Sequence, residues 1–144
     1  MTGNTADEVW TGSKRQKDEL RAKFNGRCGY CGEVMDKMHA DHIQPVIRLT
    51  TDPWGTPLPA TEQRMLKPER NSVANMMPAC ASCNLSKGGH TLEGWRDLLQ
   101  RSAQIVAREK SIFRAGVRFG IIKVEEQPVV FHFERTEASG GPRT

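Results

Sequence analysis

The sequence predicts a small α+β domain stapled by a zinc ion. Three observations point there: two CxxC pairs, Cys28/Cys31 and Cys80/Cys83; short extended segments bounded by Gly, Pro and Asn beside each pair; and a helical apolar period beyond Thr91. At 144 residues, 37% of them hydrophobic and only 6% aromatic, the chain is one domain's worth of protein with a modest core. A domain of this kind gains from a metal fastening.

The elements follow in order. Met1 to Gly12 is polar around a lone Trp10 and reads as a flexible leader (1–12). Ser13 suits the cap of a helix running to about Phe24, with Leu20 and Phe24 four apart on one face, and Asn25-Gly26 closes it. The Cys28-Gly29-Tyr30-Cys31-Gly32 turn comes next, then an extended segment over Met38 to Ile43 that Pro45 stops. Thr50 to Asn71, with Pro53, Gly55, Pro57, Pro59 and Pro68, carries little periodic hydrophobicity and reads as a long loop or insertion (50–71). A second short strand is expected over Asn75 to Pro78.

Beyond Thr91, the residues Leu92, Trp95, Leu99, Val106 and Phe113 recur at helical spacing and predict one long helix to about Arg118, with a break before Gly116 left open. Gly120 to Val124 and Val129 to Phe133 predict a short strand pair across a Glu125-to-Pro128 turn, with His132 a structural residue of the second strand. The resulting organisation is a main domain over 13–118, a β extension over 119–137 and a disordered tail over 138–144.

The charge is modest, 21 Lys and Arg against 17 Asp and Glu, and unevenly placed. Lys14, Arg15, Lys17, Arg21, Lys23 and Arg27 face only Asp18 and Glu19 in their stretch. Lys87 to Arg118 is also basic, with Arg96, Arg101, Arg108, Lys110, Arg114 and Arg118. Such segments suit a polyanion, although solvated helix faces carry similar charge. No apolar run approaches the ~20 residues of a membrane span. The polar N-terminus lacks the apolar centre of a signal peptide, so an intracellular setting is expected. In that setting paired cysteines are metal ligands rather than disulfides.

Two residues between cysteines let the chain curl so that both sulfurs reach one ion at ~2.3 Å. Four thiolates fill a tetrahedral zinc shell and leave no position open for water, so the expected role is structural. The stretch separating the pairs is longer than a zinc ribbon allows, which implies an insertion between the two knuckles.

The residues beside the cysteines carry the chemistry. The first pair is followed by His39-Ala40-Asp41-His42-Ile43-Gln44-Pro45, and the second sits in Asn75-Met76-Met77-Pro78-Ala79-Cys80-Ala81-Ser82-Cys83-Asn84-Leu85-Ser86-Lys87-Gly88. In this order (CxxC, DHIxP, NxxPxCxxCNxxKG) the stretch from Cys28 to Gly88 resembles the HNH endonuclease family, the ββα-metal or His-Me finger nucleases. The resemblance implies a bent hairpin packed on a helix and hydrolysis of DNA phosphodiester bonds, with RNA left open as a substrate. It further implies His42 as general base, Asp41 and Asn84 as ligands of a catalytic cation, Asn75 as the asparagine bracing the loop around the histidine, and Lys87 as a contact to a backbone phosphate.

The residue chemistry agrees. A neutral imidazole can take a proton from water, and carboxylate and amide oxygens are hard donors suited to Mg²⁺ or Mn²⁺ rather than zinc. Lys14, Arg21 and Arg96 are the further expected nucleic-acid contacts. Each residue also has a plainer role: Asp41 as a turn cap, Asn84 as a helix N-cap, Lys87 as a surface charge. His39 is expected to support the site, and His90 is an alternative ligand to Asn84. Two departures from the family pattern are the 50–71 insertion and the absence of Gly-Gly after DHIxP, where Val46-Ile47-Arg48 follow directly. One such site cuts one strand, so double-strand cleavage would need a homodimer or two successive nicks. A non-cleaving zinc-stabilised module that binds nucleic acid or protein is the alternative function.

Overall fold

The computed structural model describes residues 8–138, and the outermost parts of the expected leader and tail lie outside them. Among the described residues there are six α-helices and two two-stranded sheets, an α+β arrangement. No helix among them is long and apolar enough to cross a membrane.

Helix α1 (Lys14–Ala22) begins where Ser13 accepts a hydrogen bond from Gln16 N, and it buries Gln16 and Leu20. Gln16 explains why residues 8–12 are not a free leader. Its Oε1 accepts from the backbone of Thr11 and Gly12, its Nε2 donates to Glu8 and Val9, and Val9 bridges to Ser72. The first knuckle follows. Gly29 packs where a Cβ would come within 2.2 Å of Met77 Sδ, so only glycine lets the knuckle lie on the strand beneath it.

Strand β1 (His39–His42) pairs antiparallel with β4 (Met76–Ala79), in the register His39 to Ala79 and His42 to Met76. All four β4 residues are buried. Pro78 fits there because the sheet has only two strands: it lacks an N–H, and its carbonyl accepts from Gly29 N at 2.8 Å on the outer edge. Helix α2 (Ala81–Lys87) then starts at the second knuckle, capped by the Cys80 sulfur, and ends at Gly88 with φ 51°.

The 50–71 segment is more ordered than the expected loop. Strands β2 (Arg48–Leu49) and β3 (Arg64–Met65) pair at the base of an arm, Thr51 bridges to Pro57, and a 3₁₀ turn covers Pro68–Arg70.

The C-terminal expectations need two corrections. The single long helix is three: α3 (Leu92–Gln100), α4 (Ser102–Glu109) and α5 (Ser111–Arg118). Lys110 takes an extended conformation, φ −123° and ψ 108°, so the apolar stripe turns back on itself rather than running on. The strand pair is absent among the described residues. Residues 121–131 are irregular and α6 (His132–Ala138) follows. The Val129-to-Phe133 alternation serves aromatic stacking instead of a ladder: Phe131 stacks on Trp95 at 5.2 Å and on Phe133 at 6.0 Å.

This cluster is the core. Phe24, Tyr30, Met35, Met77, Trp95 and Phe131 are buried together around the first knuckle. The knuckle receives α6 directly, since His132 N donates to Tyr30 O and Phe133 N to Gly29 O, both at 2.8 Å. His132 sits edge-on to Phe24 at 5.7 Å, so its role is packing, from a helix rather than a strand.

Candidate metal centre and adjoining cleft

The two knuckles converge. The sulfurs of Cys28, Cys31, Cys80 and Cys83 all lie within 4.8 Å of one another, and those of Cys31 and Cys80 are 3.9 Å apart. A tetrahedron with ~2.3 Å arms has edges of ~3.8 Å, so the four cysteines can hold a zinc ion. Backbone donors turn inward to the sulfurs, Tyr30 N to Cys28 and Cys83 N to Cys80, each at 3.4 Å. The Cys28 thiol is held down to about 4, chiefly by the Cys83 S–H that donates to it, and Cys83 is raised for the same reason. One thiol of the group therefore gives up its proton readily, which favours metal uptake.

Beside this centre lies a cleft of about 440 Å³, lined by Asp41, His42, Asn84, the turn Pro45 to Arg48, and Gly88 and Gly89. Asp41 and His42 are neighbours on β1 and leave it on opposite faces. They still reach one cleft because β1 ends at His42, where the chain bends and Ile43 N donates to Asn75 O at 2.8 Å. Asn84 enters from α2. It is not the helix cap, a position Cys80 holds. His90 lies beyond α2, exposed, and does not line the cleft. His39, half-buried at the start of β1, also stands outside the cleft lining.

Asn75 spends its side chain on the chain after His42. Its Oδ1 accepts from Gln44 N, and its Nδ2 donates to Gln44 O and Arg70 O, at 2.9, 2.9 and 2.7 Å. Arg70 continues the brace by donating to Pro45 O at 2.8 Å. In this turn Ile47 takes φ 53°, a left-handed conformation costly for a β-branched residue. Hydrogen bonds from Leu66 N to Ile47 O and from Lys67 N to Val46 O hold it there.

Two residues that sequence reasoning passed over complete the surroundings. Asn71 Oδ1 lies 2.9 Å from His42 Nε2, and Asn71 Nδ2 donates to Trp10 O at 3.2 Å. The second contact fixes which way the amide points, because only its NH₂ can donate to a carbonyl. Oδ1 must then accept from His42, so in the neutral imidazole Nε2 carries the proton and Nδ1 the lone pair. The second residue is Tyr30, whose hydroxyl donates to Asp41 Oδ2 at 2.6 Å. Burial, and then the Asp41 charge, raise its pKa and keep the phenol protonated. The signal in the sequence was a lone tyrosine inside a CxxC, which reads equally well as core.

Lys87 corrects the expected phosphate contact. Its side chain is fully buried, 3.1 Å from Asp41 Oδ2, and it donates to His42 O at 2.9 Å. The last turn of α2 faces β1, so the ammonium is consumed in the protein. Arg96 is also engaged within the protein. Its guanidinium holds Glu134 at 2.7 Å, Glu93 at 2.8 Å and Val129 O, and lies over the Phe131 ring. The Glu134 contact is the main cause of its raised pKa. Lys14 is exposed and pairs with Asp18. Arg21 is half-buried in the last turn of α1.

A larger cleft of about 680 Å³, between the α3–α4 junction and residues 124–129, is lined by Gln100, Gln104, Glu125 and Glu126 among others but by no histidine. Compared with known proteins, the chain matches no family model, no curated protein and no solved structure.

Proposed function

We propose that this protein is a zinc-stapled, metal-dependent endonuclease of HNH type that hydrolyses phosphodiester bonds in DNA. The observation that carries the proposal is the convergence of Asp41, His42 and Asn84 on one open cleft, from a strand end and a facing helix. A carboxylate and an amide oxygen are the donor set of a hard divalent cation, and they fit Mg²⁺ or Mn²⁺. Tyr30 and Lys87 both engage Asp41 Oδ2, so Oδ1 is the oxygen that would serve the ion. When bound, such a cation neutralises charge on the phosphate and on the departing oxygen.

The remaining steps belong to the chain. His42, its Nε2–H held by Asn71, takes a proton at Nδ1 from a water that attacks the phosphorus. The 3′-oxygen departs opposite and takes a proton from solvent water, leaving 5′-phosphate and 3′-hydroxyl ends. Asn75 keeps the turn after His42 from drifting, which matters because a displacement of ~1 Å can cost about 100-fold in rate.

Supercoiled plasmid incubated with zinc-loaded protein and Mg²⁺ or Mn²⁺ tests this. Wild type should relax the plasmid, and His42→Ala and Asp41→Asn should not. Equal cleavage by His42→Ala and wild type would remove the proposed base.

A second reading, a zinc-stabilised binding module without turnover, draws on one observation: the bonds from Tyr30 and Lys87 already satisfy one Asp41 oxygen without any metal. It predicts DNA binding that survives Asp41→Asn, with no cleavage under any divalent ion.

A further inference from the structure

The arm rooted on the cleft carries a feature that the hydrolytic chemistry does not use. Trp54, at its tip, is 86% exposed, whereas Trp95 is buried in the core. Leaving an indole in water forgoes the stabilisation that burial would give. The tip is nevertheless built to hold it out. Asp52 Oδ1 accepts from Trp54 N and from Thr56 N, both at 2.9 Å; Asp52 N donates to Thr56 O; and Gly55 N donates to Asp52 O from a φ of 87°. The one carboxylate at the tip is thereby turned inward on backbone N–H groups, leaving the indole as its outward chemistry.

The root of the arm is the cleft wall itself, since Ile47 and Arg48 line the cleft and β3 and its following residues pin them. Arg48 and Arg64 are exposed and stand on opposite faces of the β2–β3 ladder, because Arg48 pairs with Met65 and Arg64 with Leu49. From Arg48 to Trp54 an extended chain spans at most about 20 Å, so the indole stays within that reach of the cleft.

We infer that Trp54 is a stacking platform for an unpaired nucleobase of the strand being cut, with Arg48, on the cleft wall, beside that strand's phosphates. The inference rests on the nuclease reading for its ligand class. An indole face recognises any base, but only one not already stacked within a duplex. A tip preorganised by side-chain and backbone hydrogen bonds spends little entropy on that contact.

The test uses zinc-loaded, full-length His42→Ala protein, so that bound DNA stays intact. Binding of a fluorescein-labelled single-stranded oligonucleotide is read by anisotropy for the parent and for versions that also carry Trp54→Ala or Trp54→Phe. The expected result is a loss of about 5- to 100-fold with alanine, near-complete retention with phenylalanine, and a smaller loss on the matching duplex. The salt dependence should not change, since stacking releases no counterions. Equal affinity of the alanine variant and its parent for single strands overturns the inference, as does an equal loss on duplex, which would point to a general effect. Binding of neither DNA form by the parent also overturns it. Plasmid cleavage by the wild type separates the two readings: cleavage with a silent Trp54→Ala sinks the platform alone, and Trp54-dependent binding without cleavage sinks the nuclease alone.

Discussion

The Tyr30 hydroxyl donates to Asp41 Oδ2 at 2.6 Å, and Tyr30 lies between Cys28 and Cys31 of the four-cysteine cluster. The carboxylate of the cleft is therefore positioned by the same turn that carries two of the candidate metal ligands. The Tyr30 ring is packed edge-on against Trp95 at 5.1 Å and Phe131 at 5.5 Å, so the aromatic core fixes it as well. Tyr30→Phe should keep this packing and lose only the bond. Chemical denaturation should show a loss of about 1–2 kcal/mol. Zinc content should be unchanged and cleavage reduced.

The Lys87–Asp41 pair is buried, and removing one partner strands a charge. Lys87→Met should cost about 3–5 kcal/mol in equilibrium unfolding. Lys14→Ala, which removes an exposed pair with Asp18, should leave the unfolding midpoint where it is. If the two variants unfolded alike, Lys87 would not be held as described.

Asn71 sets the tautomer of His42 and is itself held by Trp10. Asn71→Ala should lower the cleavage rate by about tenfold or more while leaving DNA affinity within twofold. A rate equal to wild type would show that the imidazole is oriented by something else.

Arg96 ties α3 to α6 through Glu134. Arg96→Ala should lower the melting temperature, and the salt dependence of DNA binding should stay that of wild type. A shallower salt slope would restore Arg96 to the interface.

Zinc removal should act on the whole unit, because both knuckles, α2 and the docking of α6 meet at the four-cysteine cluster. Cys80→Ser should lose the metal, measured by atomic absorption, and with it the cooperative unfolding transition. A metal-free variant that melted like wild type would reduce the tetrad to four neighbouring thiols.

What was legible in the chain followed from fixed local spacings. CxxC twice located a four-cysteine cluster, Ser13 marked the start of α1, and short segments bounded by Gly, Pro and Asn beside the cysteines marked β1 and β4. What was not legible depends on contacts between distant residues. Lys87 reads as surface charge until α2 is laid against β1 and turns its ammonium toward Asp41. Asn71 falls in a stretch without periodicity, and its partner His42 is far away in sequence. The break at Lys110 has no Gly or Pro to announce it, and the stripe through Phe113 continues the helical period across it. The Val129-to-Phe133 alternation copies a strand although its aromatics stack on Trp95 and on one another. Ile47 marks the limit of pattern reasoning: a left-handed residue was not foreseeable from a β-branched side chain, yet β3 and the residues after it hold it so.

The most direct measurement is an anomalous difference map from crystals of the zinc-loaded protein soaked in Mn²⁺. One manganese peak is expected in the cleft, about 2.1 Å from a carboxylate oxygen of Asp41 and from the amide oxygen of Asn84, with His42 alongside. Manganese bound only elsewhere, with Asp41 still closed on Tyr30 and Lys87 and no ion between it and Asn84, would contradict the proposed cation site.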